Sequence, residues 1–219
     1  MSPNRTMLGL VLTLIVIMAG SSAVRAQGIV FANSDPLVTI RSSFTGQTMT
    51  LFGNVEPGAG AGPFDIVILV RGPGSDRIVR RKARQWGVML NSDEAVYRRL
   101  PGYYAVLSSE PLTQALDAEH LADPRLSLDG IVNTAHTAGT AEAFDPELVR
   151  LMQAARLFHN VERGVTFLSP TTFAARIPLP ASVPNGMFIA QAMVVSGGEV
   201  VASGTTRFMV RTEGFERFM

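Results

Sequence analysis

The chain has 219 residues, 19 Lys+Arg against 18 Asp+Glu, and no cysteine, a length that buries one substantial core or two small ones. So even a charge is not that of a nucleic-acid-binding domain, which is usually strongly basic. The lack of thiols excludes thiolate catalysis, iron–sulfur ligation and thiolate zinc sites.

The N-terminus reads as an export signal. Asn4 and Arg5 precede the uncharged run 6–24, whose apolar centre is Met7 to Ala19, and Val24 and Ala26 occupy the −3 and −1 positions of a cut before Gln27. A charged start, a short apolar centre and a small-residue exit define a secretory signal peptide. Residues 6–24 also come close to the length of an uncleaved membrane anchor. Both readings export residues 27–219. Without Arg5 and Arg25 the balance becomes 17 against 18, a net charge of −1.

From residue 36 to 109 the pattern is a series of short β-branched and aromatic runs: 37–42, 48–55, 65–72, 76–83, 86–91, 95–100 and 103–109. They are punctuated by "EPGAGAGP", "GPGS", "NSDE" and "PG", each read as a turn or loop. A helix is predicted at 111–122 and a loop at 133–143. A second helix opens with Asp145 as N-cap and Pro146 at its first position. Its apolar face is Phe144, Leu148, Leu151, Met152, Ala155 and Phe158, and Gly164 ends it. Strands return at 164–169, 172–179, 186–196 and 199–212, the last two joined by Gly197-Gly198 in a two-residue hairpin turn. The fold class is mainly β: an immunoglobulin-like antiparallel β-sandwich with a helical insertion at about 110–163, preceded by an N-terminal signal or anchor helix (1–26). Two small sandwiches joined by helices are the other reading. Tyr103 or Tyr104 is placed for a tyrosine-corner contact.

Candidate chemistry is sparse. His120, His136 and His159 have no second histidine three or four residues away, the spacing zinc sites favour, so neither a metal nor another cofactor is predicted. Gly58, Gly60 and Gly62 follow a strand, but no helix and no Lys-Ser/Thr follows them, which makes a hairpin loop rather than a phosphate loop. Ser75 lies in "GPGSD", not in a nucleophile elbow. Asp93-Glu94 is the one adjacent acid pair, in a predicted turn, and no catalytic residue is assigned. The densest charge is "RIVRRKARQW", 77–86. As a strand it places Arg77, Val79, Arg81 and Ala83 on one face and Ile78, Arg80 and Lys82 on the other. The cations protect an edge or meet an anionic partner or a headgroup. Arg77, Arg80, Arg81, Lys82 and Trp86 are therefore the candidate partner surface.

Several ordered blocks carry a family resemblance: "FTGQTMTLFGNVE", "VILVRGPGSDRIVRRKARQWGVMLN", "LPGYYAVLSSEPL", "FAARIPLPASVPNGMFIAQAMVVSGGEVV" and "VRTEGFERF". Over most of residues 35–217 the chain resembles the putative transmembrane protein family of alphaproteobacteria (Alph_Pro_TM), an uncharacterised family with no assigned reaction or catalytic residues. The resemblance implies a domain in the periplasm, held at the inner membrane, with an accessory role beside a membrane protein such as a permease. The family's C-terminal membrane helix would follow "GFERF", and the sequence here stops at Met219. Membrane contact is then expected through residues 6–24 if these are uncleaved, and a soluble periplasmic product if they are cleaved. The expected function is a non-enzymatic accessory or interaction domain, with no nucleic-acid partner. The alternative is a periplasmic small-ligand-binding protein or an enzyme whose site assembles from scattered residues.

Overall fold

The computed structural model describes residues 28–40, 45–56, 62–85 and 88–213, with the side chains of 82–92 and 141–143 left aside. The signal or anchor segment, the glycine loop apart from Gly62, Trp86, the side chain of Lys82 and the residues after 213 lie outside that description.

Thirteen strands form among the described residues: β1 Ile29–Asn33, β2 Leu37–Ile40, β3 Gly46–Val55, β4 Asp65–Arg71, β5 Gly74–Gln85, β6 Val88–Pro101, β7 Tyr104–Ser108, β8 His136–Gly139, β9 Phe158–Val161, β10 Val165–Phe167, β11 Thr172–Pro180, β12 Gly186–Ser196 and β13 Glu199–Thr212. Between β7 and β9 lie two single helical turns, α1 (Leu112–Ala115) and α2 (Ala118–Leu121), a 3-10 turn (Pro124–Leu126), α3 (Leu128–Ala135) and α4 (Ala141–Ala154).

One sheet has the order β1-β3-β11-β10, and a second the order β2-β13-β12-β4-β7-β9. The first is the A-B-E-D sheet of an immunoglobulin-type sandwich, and β4, β12 and β13 take the places of C, F and G. The single sandwich with an insertion is therefore the architecture. β2 adds to β13 in parallel, as does β9 to β7. Alternation explains the core. In β11 Phe173, Ala175, Ile177 and Leu179 are buried, and from the facing sheet come Phe188, Ala190, Ala192, Phe208 and Val210. Gly197 and Gly198 have φ of 63° and 90°, the mirror-image turn that fits the twist of the β12–β13 hairpin.

The strand β4 is buried from Ile66 to Val70, so both its faces are covered. Ile66, Ile68 and Val70 pair with Val194, Ala192 and Ala190 on the sandwich side. The helical insertion covers the other side. The Tyr104 hydroxyl donates to the Arg125 carbonyl at 2.7 Å, and Leu116 bridges to Gly198. The Tyr103 hydroxyl reaches across the core to the Pro178 carbonyl at 3.0 Å. Both tyrosines thus make long-range ties rather than the local corner.

β5, β6 and β8 form a separate three-stranded sheet: the β5–β6 hairpin is inserted between β4 and β7, and β8 joins it from the helical insertion between β7 and β9. Here the structure corrects the reading of "NSDE" as a turn: residues 91–94 lie inside the continuous strand β6. The reason is charge across the ladder. Glu94 faces Arg80 and Asp93 faces Arg81, and opposite charges directly opposite stabilise an antiparallel pair. The 133–143 segment is likewise no loop, because it contains β8. Gly139 there has φ 95°, and a Cβ on it would overlap the Glu94 carbonyl oxygen.

The predicted 111–122 helix divides at Leu116, and Asp117 caps the second piece by accepting the His120 N–H at 2.8 Å. The later helix starts at Ala141 with Thr140 before it, so Asp145 is not its N-cap and Pro146 lies within it. It ends before Gly164, in a Schellman motif: Leu157 N–H donates to Met152 O and Arg156 N–H to Gln153 O, both at 2.9 Å, with Arg156 at φ 56°. Phe144, Leu148 and Met152 are buried as predicted. Val149 is buried where Leu151, 45% exposed, is not.

Candidate functional site

The cationic strand β5 is the edge of its sheet. Ladder register sets Arg77 opposite Tyr97, and Tyr97 opposite His136 on β8. This row faces helix α4. Arg77 Nη1 lies 3.6 Å from Met152 Sδ, and the Arg81 guanidinium sits 5.4 Å from the centre of the Phe144 ring, a cation–π contact. Outward, Ile78 is 57% exposed and Arg80 pairs with Glu94 at 3.2 Å. The structure therefore divides the sequence-derived surface. Arg77 and Arg81 turn to the helix, Arg80 turns out, and Lys82 and Trp86 fall outside the described side chains.

Under the same helix lies a polar cluster. The hydroxyl of fully buried Tyr97 donates to Asp145 Oδ1 at 2.6 Å, and His136 Nδ1 meets the same oxygen at 2.9 Å. An ionised carboxylate only accepts, so the His136 proton sits on Nδ1. The Tyr97 and His136 rings meet edge to face at 5.1 Å. Burial first, then the bond to Asp145 and its charge, push the Tyr97 hydroxyl well above the ordinary tyrosine range. Asp145 Oδ2 and Arg77 Nε are buried without a hydrogen-bond partner. The carboxylate that looked like an N-cap thus ties three elements together: β6, β8 and α4.

The other histidines are separate. His120 Nδ1 lies 2.8 Å from Asp117 Oδ1, a bond that raises its pKa; burial lowers that of His159, whose Nε2 donates to the Arg156 carbonyl at 2.8 Å. Among the described residues no group of three or more His, Asp or Glu is placed to hold a metal ion.

The outer face of the six-stranded sheet is covered by helices over β4 and β7, is buried at Met193 and Val195 near the end of β12, and is open over the start of β12, β13 and β2. On the open part Leu37, Met209 and Met187 form a row across three strands, and Ile189 lies beside it between Arg71 and Arg207. Leu37 is 53% exposed, Met187 49% and Ile189 41%. Arg211 is exposed on the same face, two residues from Met209. Sequence reasoning had not singled out this face, although "MFIA" (187–190) carries the signal. Four apolar residues in a row make both sides of a strand apolar, where a solvated outer face would alternate.

No described helix is long and apolar enough to cross a membrane. No curated protein matches the chain. The family model described as putative transmembrane protein (Alph_Pro_TM) matches residues 28–219, the whole sandwich with its inserted hairpin and helices, and the chain belongs to that uncharacterised family.

Proposed function

We propose that this is a non-enzymatic accessory domain on the periplasmic side of the inner membrane, which lies against a membrane protein such as a permease. The observation that carries the reading is the open patch of Leu37, Met187, Ile189 and Met209, bordered by Arg71, Arg207 and Arg211. A contiguous apolar patch with a charged rim marks an interaction surface. The arginine rim selects a partner with acidic residues beside its apolar contact, and opposed charges set the register of such an interface. The export signal read in residues 1–26 and the membership of a transmembrane-protein family support a partner in the membrane.

The test is a photo-crosslinking residue at Met187 of the full chain, irradiated in intact membranes. The expected product is one adduct with an integral membrane protein, abolished by introducing Ile189→Asp beside the probe. A chain that stays monomeric, or an adduct that Ile189→Asp leaves unchanged, overturns the proposal.

A further inference from the structure

A cleft of about 410 Å³ opens where the ends of β4 and β6 meet the helical insertion, and its lining includes Arg71, Arg98, Arg99 and Arg125. Three separated stretches of chain supply these side chains, and the fold brings them together by identifiable contacts. Register places Arg71 opposite Tyr104 at the β4–β7 edge. The Tyr104 hydroxyl then fixes the 3-10 turn above it by its bond to the Arg125 carbonyl. Asp76 positions the remaining pair, accepting Arg98 Nη1 at 3.2 Å and the Arg99 N–H at 2.9 Å, while Arg99 holds φ 52°.

The four cations are not equivalent. Arg125 is forked onto Asp123, with Nε at 2.9 and 3.0 Å and Nη2 at 2.6 Å, and Arg98 is paired with Asp76. Among the described residues, Arg71 and Arg99 have no acidic partner within ion-pair distance, and Asp123 is the only acid in the lining. Guanidinium groups held together without counter-charge repel one another, and an anion between them removes that cost. Their planar donor forks match the oxygens of phosphate or sulfate. Two unpaired cations call for two negative charges on one small group, which a single carboxylate does not supply. The field of these arginines also reaches Tyr104, which stands opposite Arg71 in the ladder. Burial pushes the Tyr104 hydroxyl up to about 12, and the charges of Arg71 and Arg125 act against that rise.

We propose that the cleft is a binding site for a tetrahedral dianion of the phosphate or sulfate class, free or as a terminal phosphate on a lipid. Arg71 and Arg99 grip it, and Arg98 and Arg125 close the rim. The site shares Arg71 with the rim of the partner face, but Arg98, Arg99 and Arg125 belong to the cleft alone, so Arg99→Gly reports on the cleft without touching that face.

Calorimetric titration of the full-length chain with sodium sulfate and with inorganic phosphate, at constant ionic strength made up with chloride, tests this directly. Saturable binding is expected, weakened at least tenfold by Arg71→Ala and by Arg99→Gly. The second variant separates binding from folding, since glycine relaxes the left-handed backbone at that position and the fold is retained. Arg163→Gly, at another left-handed arginine outside the cleft (φ 58°), leaves binding unchanged. A parallel arm sediments the protein with phosphatidylcholine vesicles with and without phosphatidic acid. Binding only to the phosphatidic acid vesicles, lost in Arg71→Ala, assigns the dianion to a lipid. If free anions give no saturable signal and vesicle binding ignores Arg71→Ala, or if both cleft variants bind sulfate like the native chain, the proposal fails.

Discussion

Replacing Asp145 tests whether the Tyr97–His136–Asp145 cluster fastens the inserted hairpin to helix α4. The carboxylate accepts the Tyr97 hydroxyl at 2.6 Å and the His136 ring N–H at 2.9 Å, and its side chain is 13% exposed. Hydrogen bonds to a charged group contribute about 1.5–3 kcal/mol each, and a buried donor left without an acceptor costs about 1–3 kcal/mol. Asp145→Ala removes both bonds and strands two donors, one on a tyrosine with no exposed surface. These terms overlap, so the expected loss is about 3–5 kcal/mol. In a chain of this size that lowers Tm by roughly 6–20 °C. Asp145→Asn keeps an acceptor oxygen and loses the charge, for about 1–2 kcal/mol, and Tyr97→Phe costs about as much. Urea unfolding of the full chain gives the ordering, and the double variant Tyr97→Phe/Asp145→Ala gives the coupling. Because the two residues share one bond, the double variant costs less than the sum by about 1–2 kcal/mol. A loss under about 1 kcal/mol for Asp145→Ala, with an additive double variant, refutes the argument.

Arg156→Gly relieves a left-handed backbone in the Schellman cap and is expected to stabilise the chain by about 1 kcal/mol, read as a rise in the urea midpoint at constant slope; an unchanged or lower midpoint contradicts this. Burial lowers the pKa of His159 below its ordinary 6.5, so below that pH the unfolded chain takes up a proton that the folded chain resists. Stability from this group is complete above pH 6.5 and is lost as pH falls through the folded pKa. His120 works in the opposite sense: the Asp117 bond raises its pKa, and its contribution is present below 6.5 and lost as pH rises through the folded value. His159→Phe should flatten the fall in Tm between pH 7.5 and 5.5, and His120→Asn should steepen it; equal slopes in all three proteins would contradict both assignments.

How much was legible in the sequence depends on how local each determinant is. The strands at 186–196 and 199–212 are read to the residue, because long apolar runs meet at Gly197-Gly198 and nothing distant competes. Asp145 misleads for the opposite reason. Its position before Pro146 fits an N-cap, but Tyr97, 48 residues away, captures its carboxylate. "NSDE" has the composition of a turn, and only the facing Arg80 and Arg81 turn it into a strand. The arginine cleft was out of reach of pattern reading altogether. Arg71, Arg99 and Arg125 carry no common motif, and they meet because of the β4–β7 register and one tyrosine hydroxyl.

The direction of the first strands has a consequence for how the domain stands on a surface. Ile29 packs beside Gly204, the Thr206 hydroxyl donates to Asn33 Oδ1 at 2.7 Å, and β2 then runs parallel to β13 from Leu37 opposite Met209 to Ile40 opposite Thr212. The chain therefore comes in at one pole of the sandwich and goes out at the other, eight residues further along β13, or about 26 Å at strand rise. Arg71 and Arg207 lie level with Ile189, between the poles: about three residues along β13 from Gly204 and about five from Thr212. A tether after Thr212 plants the outgoing pole on the bilayer and holds the arginines about 16 Å from it at strand rise. A tether before Ile29 stands the domain the other way up and brings the same arginines to about 10 Å from the surface, close enough for their long side chains to reach toward the headgroups.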